Sequence, residues 1–255
     1  MRIYVCLKSV PDTAAVIRVT GADQYDESVK YVINPYDEYA LEEAAQLKER
    51  EGGEVIAVTV GKTHAEKTLR SALAVGADRA IMIETDSAFL PPDAIAEALS
   101  AAIIMDGEPD MVFVGRQSAD SESMQTHYLM ANKLGLPFVN DVSSFAFAGG
   151  VIRAVRETGG GTKEVYEMKA PAMIGAARGL NMPRYPKLPD NMKAKKKRLD
   201  KTTPAALNVS AGDSGTVLSE LLPVPERGKA EMITGTPDEM AATLIDRLKN
   251  KSGVL

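Results

Sequence analysis

The sequence predicts an α/β protein built on a mostly parallel sheet. Short apolar runs recur along the first half, segments of helical period separate them, and Gly or Pro stands at the joins. Strands alternating with helices of this length are the pattern of βαβ units, whose crossovers are right-handed.

Ile3 to Leu7 is a short apolar run that suits a buried strand. Asn34-Pro35 opens a helix: Asn suits the cap, Pro the first helical position, and Asp37 and Glu38 the positive end of the dipole. Ala40, Leu41, Ala44 and Leu47 follow at helical spacing, and Gly52-Gly53 ends the element. Val55 to Val60 is the second strand. A helix with Leu69, Ala72 and Leu73 on one face then runs to Gly76. Ala80 to Ile83 is a third strand, and Pro91-Pro92-Asp93 starts a third helix reaching Ile103. Met111 to Val114 is a fourth strand, and Ser123 to Leu134 a fourth helix closed by Gly135. The result is a Rossmann-like domain.

The pattern then changes. Phe145 to Phe147, Val151 to Arg156 and Glu164 to Met168 are short strands parted by Gly149-Gly150 and Gly159-Gly160-Gly161, an antiparallel extension of the sheet. Pro183, Pro186 and Pro189 predict an extended, irregular stretch, and Lys193, Lys195, Lys196, Lys197 and Arg198 form a basic run. Thr236-Pro237-Asp238-Glu239 is a capping box opening a last helix through Leu248. The expected organisation is a nucleotide-binding domain over 1–200 and an extended C-terminal arm over 201–255 that lies on another chain.

The 255 residues carry a net charge of −5, which argues against general nucleic-acid binding. One cysteine, Cys6, excludes a disulfide framework and a cysteine-built metal site, and the two histidines, His64 and His127, lie far apart in sequence, which argues against a histidine-rich metal centre. No apolar run approaches membrane-spanning length, so no integral membrane segment is expected. The chain opens on a strand rather than a leader, and the expected compartment is the cytoplasm.

Ligands of a doubly wound sheet bind at the carboxyl ends of its strands, where strand order reverses. Cys6, Leu7 and Lys8 lie there after the first strand, Val60 and Gly61 after the second, and Gly115 to Thr126 after the fourth. The last segment is rich in small and hydroxylic residues and leads into a helix N-terminus, a place for phosphate. A lone Ser121 or Ser123 is more often an N-cap; the whole segment at a strand end is what points to a ligand. There is no G-x-G-x-x-G and no phosphate-loop lysine motif, and no nucleophile–base constellation.

Several segments together resemble the electron-transfer flavoprotein β subunit family: Val5-Cys6-Leu7-Lys8-Ser9-Val10-Pro11-Asp12, Ile33-Asn34-Pro35-Tyr36-Asp37-Glu38-Tyr39-Ala40, and Leu73-Ala74-Val75-Gly76-Ala77-Asp78-Arg79. Gly115 to Thr126 matches that family's nucleotide segment. The most specific stretch is Leu180-Asn181-Met182-Pro183-Arg184-Tyr185, then Leu188-Pro189 and Met192-Lys193-Ala194-Lys195-Lys196-Lys197.

The resemblance implies a subunit with no catalytic residues of its own. It would pair with an α subunit that holds most of a redox-active FAD, and would itself bind structural AMP. AMP contacts would fall at Cys6, Asn34, Pro35, Tyr36, Asp37, Val60, Gly115, Gln117, Asp120, Ser121, Ser123, Met124, Gln125 and Thr126. Residues 179–198 would form the loop that docks flavin dehydrogenases of the acyl-CoA type. Leu188 would be its apolar anchor, with Arg184, Tyr185, Lys193 and Lys196 beside it, and the lysines would steer association. Electrons would pass to a quinone-linked acceptor, and residues 201–255 would embrace the α subunit. Pro11-Asp12-Thr13 is closer to the electron-bifurcating subfamily, which holds a second FAD here and uses NADH. Gln125-Thr126 keeps the ending of the AMP binders, and AMP is favoured over FAD. A stand-alone nucleotide-binding module is the reading from another class.

Overall fold

The computed structural model describes residues 1–209, 216–225, 228 and 230–250. They fall into two compact units, Met1–Leu221 and Leu222–Leu255.

The first unit opens with β1 (Arg2–Cys6), then four short strands, β2 (Ser9–Pro11), β3 (Val19–Gly21), β4 (Gln24–Tyr25) and β5 (Tyr31–Ile33). Helix α1 (Pro35–Glu51) leads to β6 (Glu54–Gly61), α2 (Ala65–Val75), β7 (Arg79–Glu84), α3 (Pro92–Asp106), β8 (Met111–Gly115) and α4 (Thr126–Leu134). There follow β9 (Phe138–Ala148), β10 (Val151–Glu157), β11 (Lys163–Lys169), β12 (Ala172–Ala176), α5 (Leu188–Ala194) and β13 (Leu199–Thr202). One 3-10 turn, Ala205–Leu207, comes next.

Nine strands form one sheet in the order β11-β10-β9-β12-β8-β1-β6-β7-β13. Only β10 runs against the others: it is antiparallel to both β9 and β11, while β9 is parallel to β12. The expected mostly parallel sheet with an antiparallel extension is therefore present. Strand alternation sends Ile3, Val5, Val55, Ala57 and Phe113 to the face covered by α1 and α2. Tyr4, Cys6, Ile56, Val58 and Val112 go to the opposite face, under α3 and α4.

Several elements depart from the sequence expectation. Helix α4 begins at Thr126, three residues after Ser123, because Glu122 and Met124 sit in the left-handed region at φ 50° and 54° and cannot continue a right-handed helix. Strand β9 is longer than Phe145 to Phe147. Asp141, at φ 62°, bulges out and lets one strand pair with β12 on its first half and β10 on its second. β12, with sequence AMIGA, gives no β-branched run to read, yet every residue is buried between β8 and β9. The extended stretch ends at Lys187. There Pro189 fits the first turn of α5, and the Asp190 carboxylate accepts the Lys187 N–H at 3.3 Å. β13 then joins the sheet beside β7, so this part of the chain is not a free arm.

The second unit contains α6 (Pro237–Asn250). Its start is the expected capping box: the Thr236 N–H donates to Glu239 Oε2 at 2.9 Å, and the Glu239 N–H to Thr236 Oγ1 at 3.5 Å. The described residues between Leu207 and Thr236 form no helix or strand.

Candidate nucleotide site at the strand switch

Strand order reverses between β1 and β8: β6 and β7 follow on one side of β1, and β8 lies on the other. The carboxyl ends of β1 and β8 are thus the crevice where such sheets take ligands. Three segments meet there, with Lys8 and Gly115 lying 29 and 78 residues from Asp37, which ties them together.

Asp37 is in the first turn of α1 and is 5% exposed. Its Oδ2 accepts the Lys8 main-chain N–H just after β1, at 2.7 Å. Its Oδ1 accepts the Gly115 N–H at the end of β8, at 3.1 Å, and the Asn34 side-chain amide at 2.9 Å. Burial pushes its carboxyl up to about 7, against the pull of these three N–H donors. Gly115 is required by this contact: a Cβ there would stand 2.3 Å from Asp37 Oδ1 and 2.8 Å from Tyr36 Cβ.

Asn34 extends the tie to the next loop. Its amide donates to the Gln117 carbonyl at 2.8 Å, and its Oδ1 accepts the Ala119 N–H at 3.0 Å. Lys8 crosses the mouth of the crevice to Asp120 at 2.7 Å, with Ser118 Oγ at 3.5 Å from the same ammonium. Ser118 and Ser121 share a hydrogen bond of 2.8 Å. The Arg116 guanidinium lies 5.6 Å from the Tyr36 ring centroid and pairs with Asp141 at 3.1 Å. The loop from 116 to 125 is therefore held at its base, while its far end leads into α4, whose N-terminus has no side-chain cap. Neither Ser121 nor Ser123 fills that place. Uncapped first-turn amides and the positive end of the dipole suit a phosphate group.

The structure brings together Cys6, Asn34, Pro35, Tyr36, Asp37, Gly115, Gln117 and Asp120, with Ser121 bonded to the same loop. Ser123, Met124, Gln125 and Thr126 lie on its final stretch into α4. Val60 lies on β6 two residues beyond Val58, the neighbour of Cys6, at the same end of the sheet. Asn34 and Asp37 spend their polar atoms on internal partners, so their part in the crevice is to shape it. Cys6 is buried and its thiol is pushed well above the usual range by desolvation. Lys8, Arg116 and Ser118 also belong to the site: the sequence places Lys8 at the end of the first strand and the other two within Gly115 to Thr126, but gives none of them a role.

His127 follows Thr126 on α4. It is 6% exposed and packs on Phe138 with ring centroids 5.3 Å apart, and burial pulls its imidazole down to about 4. Among the described residues no group of three or more His, Cys, Asp or Glu could hold a metal ion, and no helix is long and apolar enough to cross a membrane.

The second cluster of sequence candidates lies elsewhere, on the segment around α5. Tyr185 and Leu188 are strongly exposed, at 93% and 76%, and Lys193 and Lys196 are exposed too. Arg184 is engaged within the chain, with its guanidinium on Glu42 and Glu49.

The electron transfer flavoprotein domain family matches residues 24–207. The electron transfer flavoprotein subunit beta of Bacillus subtilis is 35% identical over the full length of both chains. The chain belongs to the electron transfer flavoprotein β subunit family. The corresponding subunit of Syntrophomonas wolfei is 36% identical over 98% of this chain and 96% of its own. That of Oryza sativa subsp. indica, named as mitochondrial, is 39% identical over the full length of both. Electron transport is thus the setting of this flavoprotein subunit, and membership implies an α-subunit partner in general.

Proposed function

We propose that this chain binds AMP in the crevice between β1 and β8 and, with an α subunit, holds one FAD in a heterodimeric electron carrier. The observation that carries the AMP reading is the loop from 116 to 125. Asn34 and Asp37 fix its base on two strand ends, and it delivers an uncapped helix N-terminus to the crevice. The α4 amides would take the phosphate and the Ser121 and Ser123 hydroxyls could add donors, while Tyr36 and Cys6 would border the base and ribose. AMP has no redox chemistry and would act by filling and stiffening the site; the FAD takes up electrons and passes them on.

Electrons would come from flavin dehydrogenases of the acyl-CoA type, docked on residues 179–198, and leave to a quinone-linked acceptor. The exposed Leu188 and Tyr185 support that docking role, because apolar and aromatic anchors carry much of the energy of protein interfaces. The second unit, with Met240, Leu244 and Ile245 exposed on α6, would contact the α subunit.

The test is release and quantification of the nucleotides held by the co-purified heterodimer. One FAD and one AMP are expected. Two FAD and no AMP would overturn the AMP assignment and make this chain the holder of a second flavin, as in the bifurcating relatives. A chain that purifies alone as a nucleotide-loaded monomer would overturn the heterodimer.

A further inference from the structure

The segment that carries Tyr185, Leu188 and Met192 is exposed at those three side chains, at 93%, 76% and 65%, yet both of its ends are tied down. At the leading end, Arg184 sets its fork on α1. Its Nε and Nη2 donate to the two oxygens of Glu42 at 2.8 and 2.9 Å, and its Nη1 donates to Glu49. The Arg184 main-chain N–H also reaches Glu42, at 3.2 Å. Asn181 adds bonds to the Tyr39 carbonyl at 3.0 Å and to Glu43 at 3.1 Å. The Glu42 side chain is only 4% exposed. Burial alone would raise its carboxyl, but hydrogen bonds from Arg184 and Gln46 hold it below its ordinary value. A buried carboxylate with a bidentate partner is costly to leave alone, so this tie resists opening.

At the trailing end the ties run to α2. Lys197 sets its ammonium at the C-terminus of that helix, donating to the Leu73 carbonyl in its last turn at 2.7 Å and to the Ala77 carbonyl just beyond it at 2.6 Å. The Leu73 carbonyl has no helical donor, and a cation at a helix C-terminus also meets the negative end of its dipole. In return Arg70 on α2 donates to the carbonyls of Ala194 at 3.1 Å and Lys197 at 2.9 Å, closing off α5. Two cations of the docking segment thus face inward, not toward a partner.

We propose that Arg184 and Lys197 are positioning residues that hold the segment between them ready-formed for docking, by fixing its two ends to α1 and α2. The inference rests on the reading of residues 179–198 as the docking loop. A loop ordered in advance loses less freedom when it binds, so its affinity is higher for the same contacts. The staples then act on recognition and leave the electron-transfer step alone.

The experiment uses the complete heterodimer as the varied substrate of a medium-chain acyl-CoA dehydrogenase turning over octanoyl-CoA. Arg184→Gln, Arg184→Lys, Lys197→Gln and Leu188→Ala are compared with the parent. Arg184→Gln and Lys197→Gln should each raise KM about tenfold with kcat within about twofold, the size of one lost interface interaction. Arg184→Lys keeps the charge without the fork and should fall between parent and Arg184→Gln. Amide hydrogen exchange of residues 185–196 in the heterodimer should quicken in both Gln variants, while residues 34–37 and 115–119 keep the parent rate. If Leu188→Ala raises KM and the two Gln variants leave both KM and exchange unchanged, the staple role is wrong. If Leu188→Ala also leaves KM unchanged, the docking reading fails and the inference falls with it.

Discussion

Asp37 and His127 are two buried titratable groups whose effects on stability oppose each other. The folded pKa of Asp37, about 7, lies above its ordinary 3.8. The folded state therefore holds the extra proton between those values, and the stability this gives is lost as pH rises through 7. The folded pKa of His127, about 4, lies below its ordinary 6.5. Here the unfolded state holds the extra proton, and stability is present above pH 6.5 and lost as pH falls toward 4. The two slopes cancel over that shared window. His127→Phe should uncover the Asp37 slope, so that unfolding free energy falls from pH 4.5 to 6.5 by up to about 1.4 kcal/mol per pH unit. Denaturant midpoints across that range read it directly, and an unchanged pH profile would refute the neutral buried imidazole. Asp37→Asn places an NH2 where an oxygen accepted an N–H. It should cost about 1–3 kcal/mol and reduce the AMP retained on gel filtration. From sequence, Asn34 and Asp37 stand out as a helix start near a strand end. Their role as a three-way tie does not, because Lys8, Gly115, Gln117 and Ala119 are brought to them only by the folded sheet.

Among elements, those with strong local signals are the ones legible beforehand. Helix α1 has Asn-Pro at its start, acids in its first turn and Gly52 at its end, and it forms where those signals say. β12 has none of these. Its Ala, Met and Gly residues are chosen by close approach: a Cβ on Gly175 would stand 2.1 Å from Asn140 Oδ1 and 3.0 Å from its Cα. Gly175→Ala should therefore push β9 and β12 apart and destabilise the protein by about 1–3 kcal/mol, as measured by urea unfolding. α5 and β13 were hidden for related reasons. Pro189 reads as a breaker until its place in a first turn is known, and Leu199–Thr202 becomes a strand only because β7 offers it a free edge. The bent path of 116 to 125 depends on left-handed Glu122 and Met124, residue types that do not announce it.

At the scale of the whole molecule, the crevice joins segments that are remote in sequence, so a nucleotide in it should stabilise the entire first unit. Stripping the nucleotide from the heterodimer should lower Tm, and re-adding AMP at about a hundred times its Kd should restore about 2.7 kcal/mol. No change on stripping would separate nucleotide binding from stability and count against a structural ligand. The pairing of β13 with β7 also has a bearing on how the chain is made. β7 precedes its outer partner by more than a hundred residues: β6 covers its inner edge, but its outer edge waits for residues 199–202, and the Leu73 carbonyl at the end of α2 waits for Lys197. During synthesis a nascent chain thus carries an open sheet edge until the residues that directly follow the proposed docking segment close it off.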